Sequence, residues 1–355
     1  MLALQARTPE ALARELGATL PEARKIVSAV HRGLWKGAMP LQGVRRTVIE
    51  AAARHGVPRL EVRAEVRSAL DPFVKFSLAS VDGVDGAVFE TVRIPLERPG
   101  RFSACVSSQV GCALGCVFCA TGRLGLSRNL EVWEIVEQVR VVRSTLGVGQ
   151  RVHGVVFQGM GEPLANLDRV VEAIRVMSEP SALAIDSRAI TVCTAGVPSG
   201  IRRLARELPK VRLGLSISSA RPDVRRSLMP VDKANPLEEV LDAAVEHARA
   251  TGLAPMWAVT PLAGVNDTEQ DARALADLAR AFEARSGVRP RLSVVPYNRI
   301  AAEGEDPYSR GDVSKFIDHL MAAGLRPHLR YSGGSDVAAA CGQQSAGLPA
   351  RLNQQ

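Results

Sequence analysis

GVVFQGMGEPLANLDRVVEAIRVM, residues 154 to 177, holds one full repeat of the pattern on which this chain is built. GVVFQGM is a short apolar run of the kind that forms a buried strand. LDRVVEAIRVM places Leu167, Val170, Val171 and Ile174 on one helical face. Between them, GMGEP sets Gly161 and Glu162 where the strand ends, a backbone without side chains next to a carboxylate. On its own a GEP tripeptide is an ordinary turn.

The same alternation recurs on both sides. The runs AITVCTA, VRLGLSIS, APMWAVTPL and RLSVVPYN are followed by IRRLARELP, LEEVLDAAVEHARATG, ARALADLARAFEARSG and VSKFIDHLMAAG. Upstream, the strand before Cys112 is followed by EVWEIVEQVRVVRSTLG, which brings the count to six βα units. Repeated units of this kind imply a parallel sheet with right-handed crossovers, and six favour a partial barrel over the eight-unit form. RPHLRYSGG reads as a last strand. The expected fold class is therefore α/β, a partial (βα)6 barrel over residues 103–343. In such barrels chemistry gathers in loops at the carboxyl ends of the strands. The unusual stretches CALGCVFC, GMGEP, TAG and SIS fall at those ends, as does Asn298.

The flanks differ in character. Residues 8 to about 70 read as short helices, with a Thr cap in TPEALARELG and a stop at Gly33 after PEARKIVSAVHRG. VKFSLASVDGVDGAVFETVRIP alternates around Asp82-Gly83 and Asp85-Gly86, the signal of a hairpin. The expected organisation is a basic helical accessory domain at 1–70, a β-hairpin extension at 71–102, the barrel, and a tail at 344–355. The net charge is +8, and twelve Arg/Lys against six Glu through Leu70 put +6 of it in the first fifth of the chain. That excess suits a polyanionic partner or a solvated helical surface. The first residues offer no apolar run long enough for a signal peptide or a membrane span, so a cytoplasmic protein is expected.

Six cysteines occur in 355 residues, and three of them, Cys112, Cys116 and Cys119, lie within one C-x3-C-x2-C loop. Three thiolates are one short of a closed zinc site, and the second pair of a zinc ribbon is absent. They suit three irons of a cubane cluster whose fourth iron stays open to another ligand, with Phe118 as a shield. Three buried cysteines used as small apolar residues are the plain alternative.

Taken in order, CVSSQVGCALGCVFCATG (105–122), SRNL (127–130), FQGMGEPLAN (157–166), LMPVDK (228–233), PLAGVND (261–267) and AACGQ (339–343) resemble the RlmN/Cfr family of radical-SAM RNA methyltransferases. The resemblance covers most of residues 75–343. It implies one [4Fe-4S] cluster on Cys112, Cys116 and Cys119, with S-adenosylmethionine on the vacant iron. It implies a cofactor pocket formed by Gly161, Glu162, Ser216, Ser218 and Asn298. Cys341 matches the cysteine that is first methylated and whose methylene then joins an adenine carbon. Cys105 matches the cysteine that releases product by a transient disulfide with Cys341. Glu90 matches the acceptor of the ring proton. The implied function is methylation of an adenine ring carbon, C2 ahead of C8, in ribosomal or transfer RNA. An electron donor such as flavodoxin or ferredoxin, a monomeric state and RNA contacts by the basic N-terminal domain follow from the same resemblance. Methylation of a small molecule or peptide, and an iron–sulfur RNA-binding protein without catalysis, are the alternatives. The Cys105/Cys341 pair and the glycine–glutamate motif argue against a structural cluster, and the basic domain argues against a non-RNA substrate.

The chain departs from the family pattern in three places. Cys193 in TVCTAG stands where a serine is common, Ser218 replaces a histidine, and GGSDVAAAC before Cys341 lacks an arginine and two acidic residues. These changes bear on the RNA target and on the choice of carbon; the cluster cysteines and Cys341 are untouched.

Overall fold

Thr8 opens the first helix, α1 (Pro9–Leu16), by accepting the Ala11 N–H at 3.4 Å, and Gly17 closes it in the left-handed conformation. In α2 (Leu20–His31) the Glu22 carboxylate reaches back to the Thr19 N–H at 2.9 Å, half of a capping box. With α3 (Arg46–Ala53) these form a small helical unit around Leu4, Leu12, Ile26, Val27, Val30 and Val48. The structure is a computed structural model that describes residues 2–81, 86–300 and 306–345.

The helical expectation to residue 70 fails beyond this point. Leu60–Arg67 is a strand, β1, paired antiparallel with β2 (Val74–Ser80) from Leu60↔Ser80 to Arg67↔Val74. Val62, Ala64 and Val66 recur with period two, and pairing to β2 decides the outcome. The expected hairpin is present: β2 runs antiparallel to β3 (Val88–Pro95) from Val74↔Arg93 to Ala79↔Val88. Its turn at Asp82–Asp85 lies outside the described residues.

β4 (Arg101–Cys105) pairs antiparallel with β3 on one side and parallel on the other with a strand fifty residues further on, so it is the hinge between two kinds of sheet. Between these parallel partners sits a ribbon of β5 (Gln109–Cys112), the one-turn helix α4 (Ala120–Arg123) and β6 (Gly125–Asn129). The barrel strand thus ends at Cys105, and the strand running into Cys112 belongs to this ribbon. A Cβ on Gly111 would stand 1.9 Å from the Gly125 carbonyl oxygen, so the ribbon closes only with glycine there.

The barrel continues as α5 (Val132–Ser144), β7 (Arg151–Phe157), α6 (Leu167–Ser178), β8 (Ile190–Thr194), α7 (Pro198–Glu207) and β9 (Arg212–Ser216). Then come α8 (Pro222–Leu228), α9 (Leu237–Thr251), β10 (Met256–Val259), α10 (Glu269–Ser286), β11 (Arg291–Val294), α11 (Val313–Ala322) and β12 (His328–Leu329). All six expected βα units are present. One sheet of ten strands runs β1-β2-β3-β4-β7-β8-β9-β10-β11-β12, parallel from β4 onward. Its helix-facing side buries Phe157, Ile190, Val192, Leu213, Leu215, Trp257 and Val294. Trp257 meets Phe282 of α10 edge-on at 5.3 Å. On the opposite side, register aligns Cys193, Gly214 and Met256 across β8, β9 and β10. No described helix is long and apolar enough to cross a membrane.

Residues 330–345 leave β12 and cross the barrel mouth as a strap. Asp336 accepts from Ser68 Oγ and the Ala69 N–H, both at 2.8 Å. Asp71 accepts from the Tyr331 hydroxyl at 2.9 Å and the Gly334 N–H at 2.8 Å. These bonds join the β12 end of the open sheet to the loop between β1 and β2 near its other end.

Candidate active site

The candidate residues lie at the carboxyl ends of several barrel strands and in the ribbon inserted after β4. Cys112 closes β5, and Cys116 and Cys119 follow in the loop before α4. The loop is held from two sides: the Val117 N–H donates to Leu228 O at 3.1 Å, and the Ala120 N–H donates to Gly342 O at 2.7 Å. A Cβ on Gly122 would lie 2.8 Å from Cys116 O, so the turn behind the cysteines needs glycine. Burial pushes the Cys112 thiol up to about 11 and the Cys116 thiol up to about 12, and Cys119 is also raised by burial. The neighbouring thiols push Cys116 further in the same direction.

No group of three His, Cys, Asp or Glu side chains among the described residues converges tightly enough for a single metal ion. In a cubane each thiolate binds its own iron, so its three cysteines stand further apart than three ligands on one ion. A three-thiol loop, half-buried and with no fourth cysteine in it, fits that arrangement.

Gly161 adopts φ +95°, and a Cβ there would stand 2.5 Å from Gln109. The Gln109 side-chain carbonyl accepts the Glu162 N–H at 2.8 Å. The Glu162 carboxylate accepts from Leu164 N–H at 3.0 Å and Ala195 N–H at 2.9 Å. Burial raises its pKa, while the Ala195 and Leu164 N–H groups and the Thr194 hydroxyl pull it down. The carbonyl of the same residue, Ala195 O, accepts from Arg225 at 2.8 Å. Arg225 also donates to Ser216 O at 2.8 Å and Ile217 O at 2.5 Å, and pairs with Asp232 at 3.0 Å; both charged groups are buried. One guanidinium therefore fixes the ends of β8 and β9. Its sequence signal is its position just before LMPVDK, which gives no hint of its partners.

Ser216, Ser218 and Asn298 share a cavity of about 140 Å³ with Phe118, Cys119 and Cys341. Ser218 sits in the left-handed region at φ 58°, strained backbone of the kind that collects at ligand sites. The Asn298 amide donates to Ser332 Oγ at 2.8 Å and to Cys341 O at 3.1 Å, tying the strap to the end of the sixth barrel strand.

Cys341 also lines a second cavity, of about 80 Å³, with Cys105, Cys119, Gln158, Arg330 and Gln344. Arg330 lies in electrostatic range of Cys105, Cys193 and Cys341, a cation that no sequence motif marks. Burial raises the Cys105 thiol to about 12, against the pull of Arg330. Cys193 packs in the same cluster as Cys105, Val156 and Ala339. Glu90, buried on β3, faces Lys75 Nζ at 3.3 Å and accepts the Ser345 N–H at 3.2 Å. Cys105, Cys119, Ser216, Ser218, Asn298 and Cys341 thus line two adjoining cavities, and Glu90, within β3, reaches the strap through Ser345.

Residues 106–279 match the Radical SAM superfamily. The chain is 58% identical to a probable RNA methyltransferase of Sorangium cellulosum, covering 94% of this chain and 90% of that one. It is 36% identical to a probable dual-specificity RNA methyltransferase RlmN of Moorella thermoacetica, covering 94% and 93%. A radical SAM methyltransferase from Sphaerobacter thermophilus superposes with a TM-score of 0.85 at 32% identity, over 98% of this chain and 100% of that one. With those relatives spanning nearly the whole length and the cysteine loop at the mouth of the barrel, the chain belongs to the RlmN/Cfr family of radical-SAM RNA methyltransferases.

Proposed function

We propose that this chain methylates an adenine ring carbon of ribosomal or transfer RNA, C2 ahead of C8, by way of a methyl group carried on Cys341. The observation that carries the reading is that Cys341 lines two cavities at once, one with Ser216, Ser218 and Asn298, the other with Cys105. A thiol at that junction can meet a cofactor on one side and a resolving thiol on the other.

Cys112, Cys116 and Cys119 would hold a [4Fe-4S] cluster, and Gly161, Glu162, Ser216, Ser218 and Asn298 would line the S-adenosylmethionine site. When bound and reduced by a donor such as flavodoxin or ferredoxin, the cluster supplies the electron for homolytic cleavage of S-adenosylmethionine, chemistry that no side chain offers. The protein's part is to carry carbon and move protons. The Cys341 thiolate would take a methyl group from one S-adenosylmethionine, leaving S-adenosylhomocysteine. A hydrogen atom of that methyl group would then pass to the 5′-deoxyadenosyl radical from a second molecule. The methylene would join the ring carbon, with the odd electron returning to the cluster as the ring proton leaves. Glu90 accepts the ring proton, with Lys75 beside it to stabilise the carboxylate. Cys105 then attacks Cys341 Sγ: the sulfur–carbon bond breaks, its electron pair and a proton complete the methyl group, and the two thiols end as a disulfide. The basic N-terminal unit contacts phosphates of the folded RNA while the target base is displaced into the mouth.

The two cysteines should fail differently. Cys341→Ala should form neither methylated protein nor RNA adduct. Cys105→Ala should accumulate a covalent protein–RNA complex that survives denaturation and is removed by nuclease. Normal turnover by Cys105→Ala with no trapped RNA would exclude this mechanism.

A further inference from the structure

Tyr331 is a large ring that the fold holds at the rim of the catalytic cavity and leaves open to solvent. It is 69% exposed yet lines the cavity that also contains Cys105, Cys341 and Arg330. Nothing about its setting is loose. Its hydroxyl donates to Asp71 Oδ2 at 2.9 Å, and Phe73 meets its ring edge-on at 6.0 Å. Asp71 is itself fixed by the N–H groups of Gly334 at 2.8 Å and Phe73 at 3.1 Å. Gly333 makes room, since a Cβ there would stand 2.7 Å from the Tyr331 ring and 2.5 Å from that of Phe73. The molecule thus orients an aromatic surface that it does not itself cover.

Extracting an adenine from folded RNA breaks its stacking on both sides and bares the face of the neighbouring base. A rigid aromatic at the rim of the receiving cavity restores that stacking at no cost in ordering, and it does so for any base, because every base has a π face. The Arg330 charge in the same cavity favours a polyanionic ligand there. The ring is too exposed to wall the slot of the target base, which must reach Cys341 and the buried Glu90. We propose that Tyr331 is the stacking platform for the RNA base that flanks the extruded adenine. The inference rests on the RNA-methylating reading given above and adds to it a residue that sets how the neighbour of the target is held.

The test uses the full-length, cluster-loaded protein with ribosomal and transfer RNA purified from a strain lacking the gene. Tyr331→Phe and Tyr331→Leu are the decisive pair: both lack the hydroxyl, and only one keeps a flat ring. Tyr331→Leu should raise the KM for RNA roughly tenfold, the scale of one stacked base, with kcat and RNA-independent cleavage of S-adenosylmethionine unchanged. Tyr331→Phe should stay within about twofold of wild type, because its ring still stacks. Ultraviolet crosslinking of the wild-type complex should yield a nucleotide-bearing peptide that contains Tyr331. Equal KM values for the Phe and Leu variants, whether both normal or both raised, would overturn the proposal, because the ring would then not matter. Wild-type protein that methylates neither RNA would remove the functional reading itself, and this inference with it.

Discussion

Arg225 shows how one side chain can govern a site it does not enter. Its charge is buried against Asp232, and its remaining donors hold carbonyls of Ala195, Ser216 and Ile217. Removing one member of a buried pair costs about 3–5 kcal/mol, an upper bound for the loss of Arg225 because Arg226 also pairs with Asp232 at 3.6 Å. Asp232→Asn and Arg225→Met should each lose stability of that order in denaturant titrations, and Arg225→Met should also raise the KM for S-adenosylmethionine, since the β8 and β9 ends are freed. The cysteines of the C-x3-C-x2-C loop, proposed to hold the cluster, are simpler. Cys116→Ala should drop iron from about four per chain to near none after anaerobic reconstitution. These thiols were legible because their spacing is local; Arg225 was not, because its acceptors lie on strands up to thirty residues away.

At the scale of elements, the βα alternation was fully legible, since each helix and strand declares its period within a dozen residues. What sequence could not show was pairing. The strand at Leu60–Arg67 depends on β2, and the ribbon that moves Cys112 off the barrel strand depends on Gly111 meeting Gly125. The strap is the extreme case, with bonds that span about 260 residues of chain. Its anchor Asp71 is titratable. Burial pushes that carboxyl up, but the bonds from Gly334, Phe73, Tyr331 and Ser68 outweigh it and leave it below its ordinary 3.8. A carboxylate lowered in this way stabilises the fold fully above pH 3.8, and the contribution is lost as pH falls through its folded value. Asp71→Asn should therefore loosen the strap already at neutral pH, seen as faster hydrogen exchange of residues 330–345, while acidification below 3.8 should loosen the wild type toward the same rate.

For the whole molecule, the proposed contact with RNA is a matter of charge. Arg24, Arg32, Lys36 and Arg54 are exposed on the helical unit. Reversing Arg24, Arg32 and Lys36 to Glu should weaken RNA binding and flatten its salt dependence by about one power of salt for each phosphate no longer neutralised. Cleavage of S-adenosylmethionine without RNA should persist. Charge reversal is the cleaner test than deletion to residue 70, which would strip β1 from the sheet. The strap has a consequence for biosynthesis. A nascent chain that has emerged as far as β12 already holds the cysteine loop, Glu162 and Cys105, but neither Cys341 nor the clasp on Ser68 and Asp71 exists until residues 330–345 are made. On the function proposed above, the thiol that would carry the methyl group is thus the last site residue delivered, and an interrupted translation product should be inert toward RNA whatever cluster it has acquired.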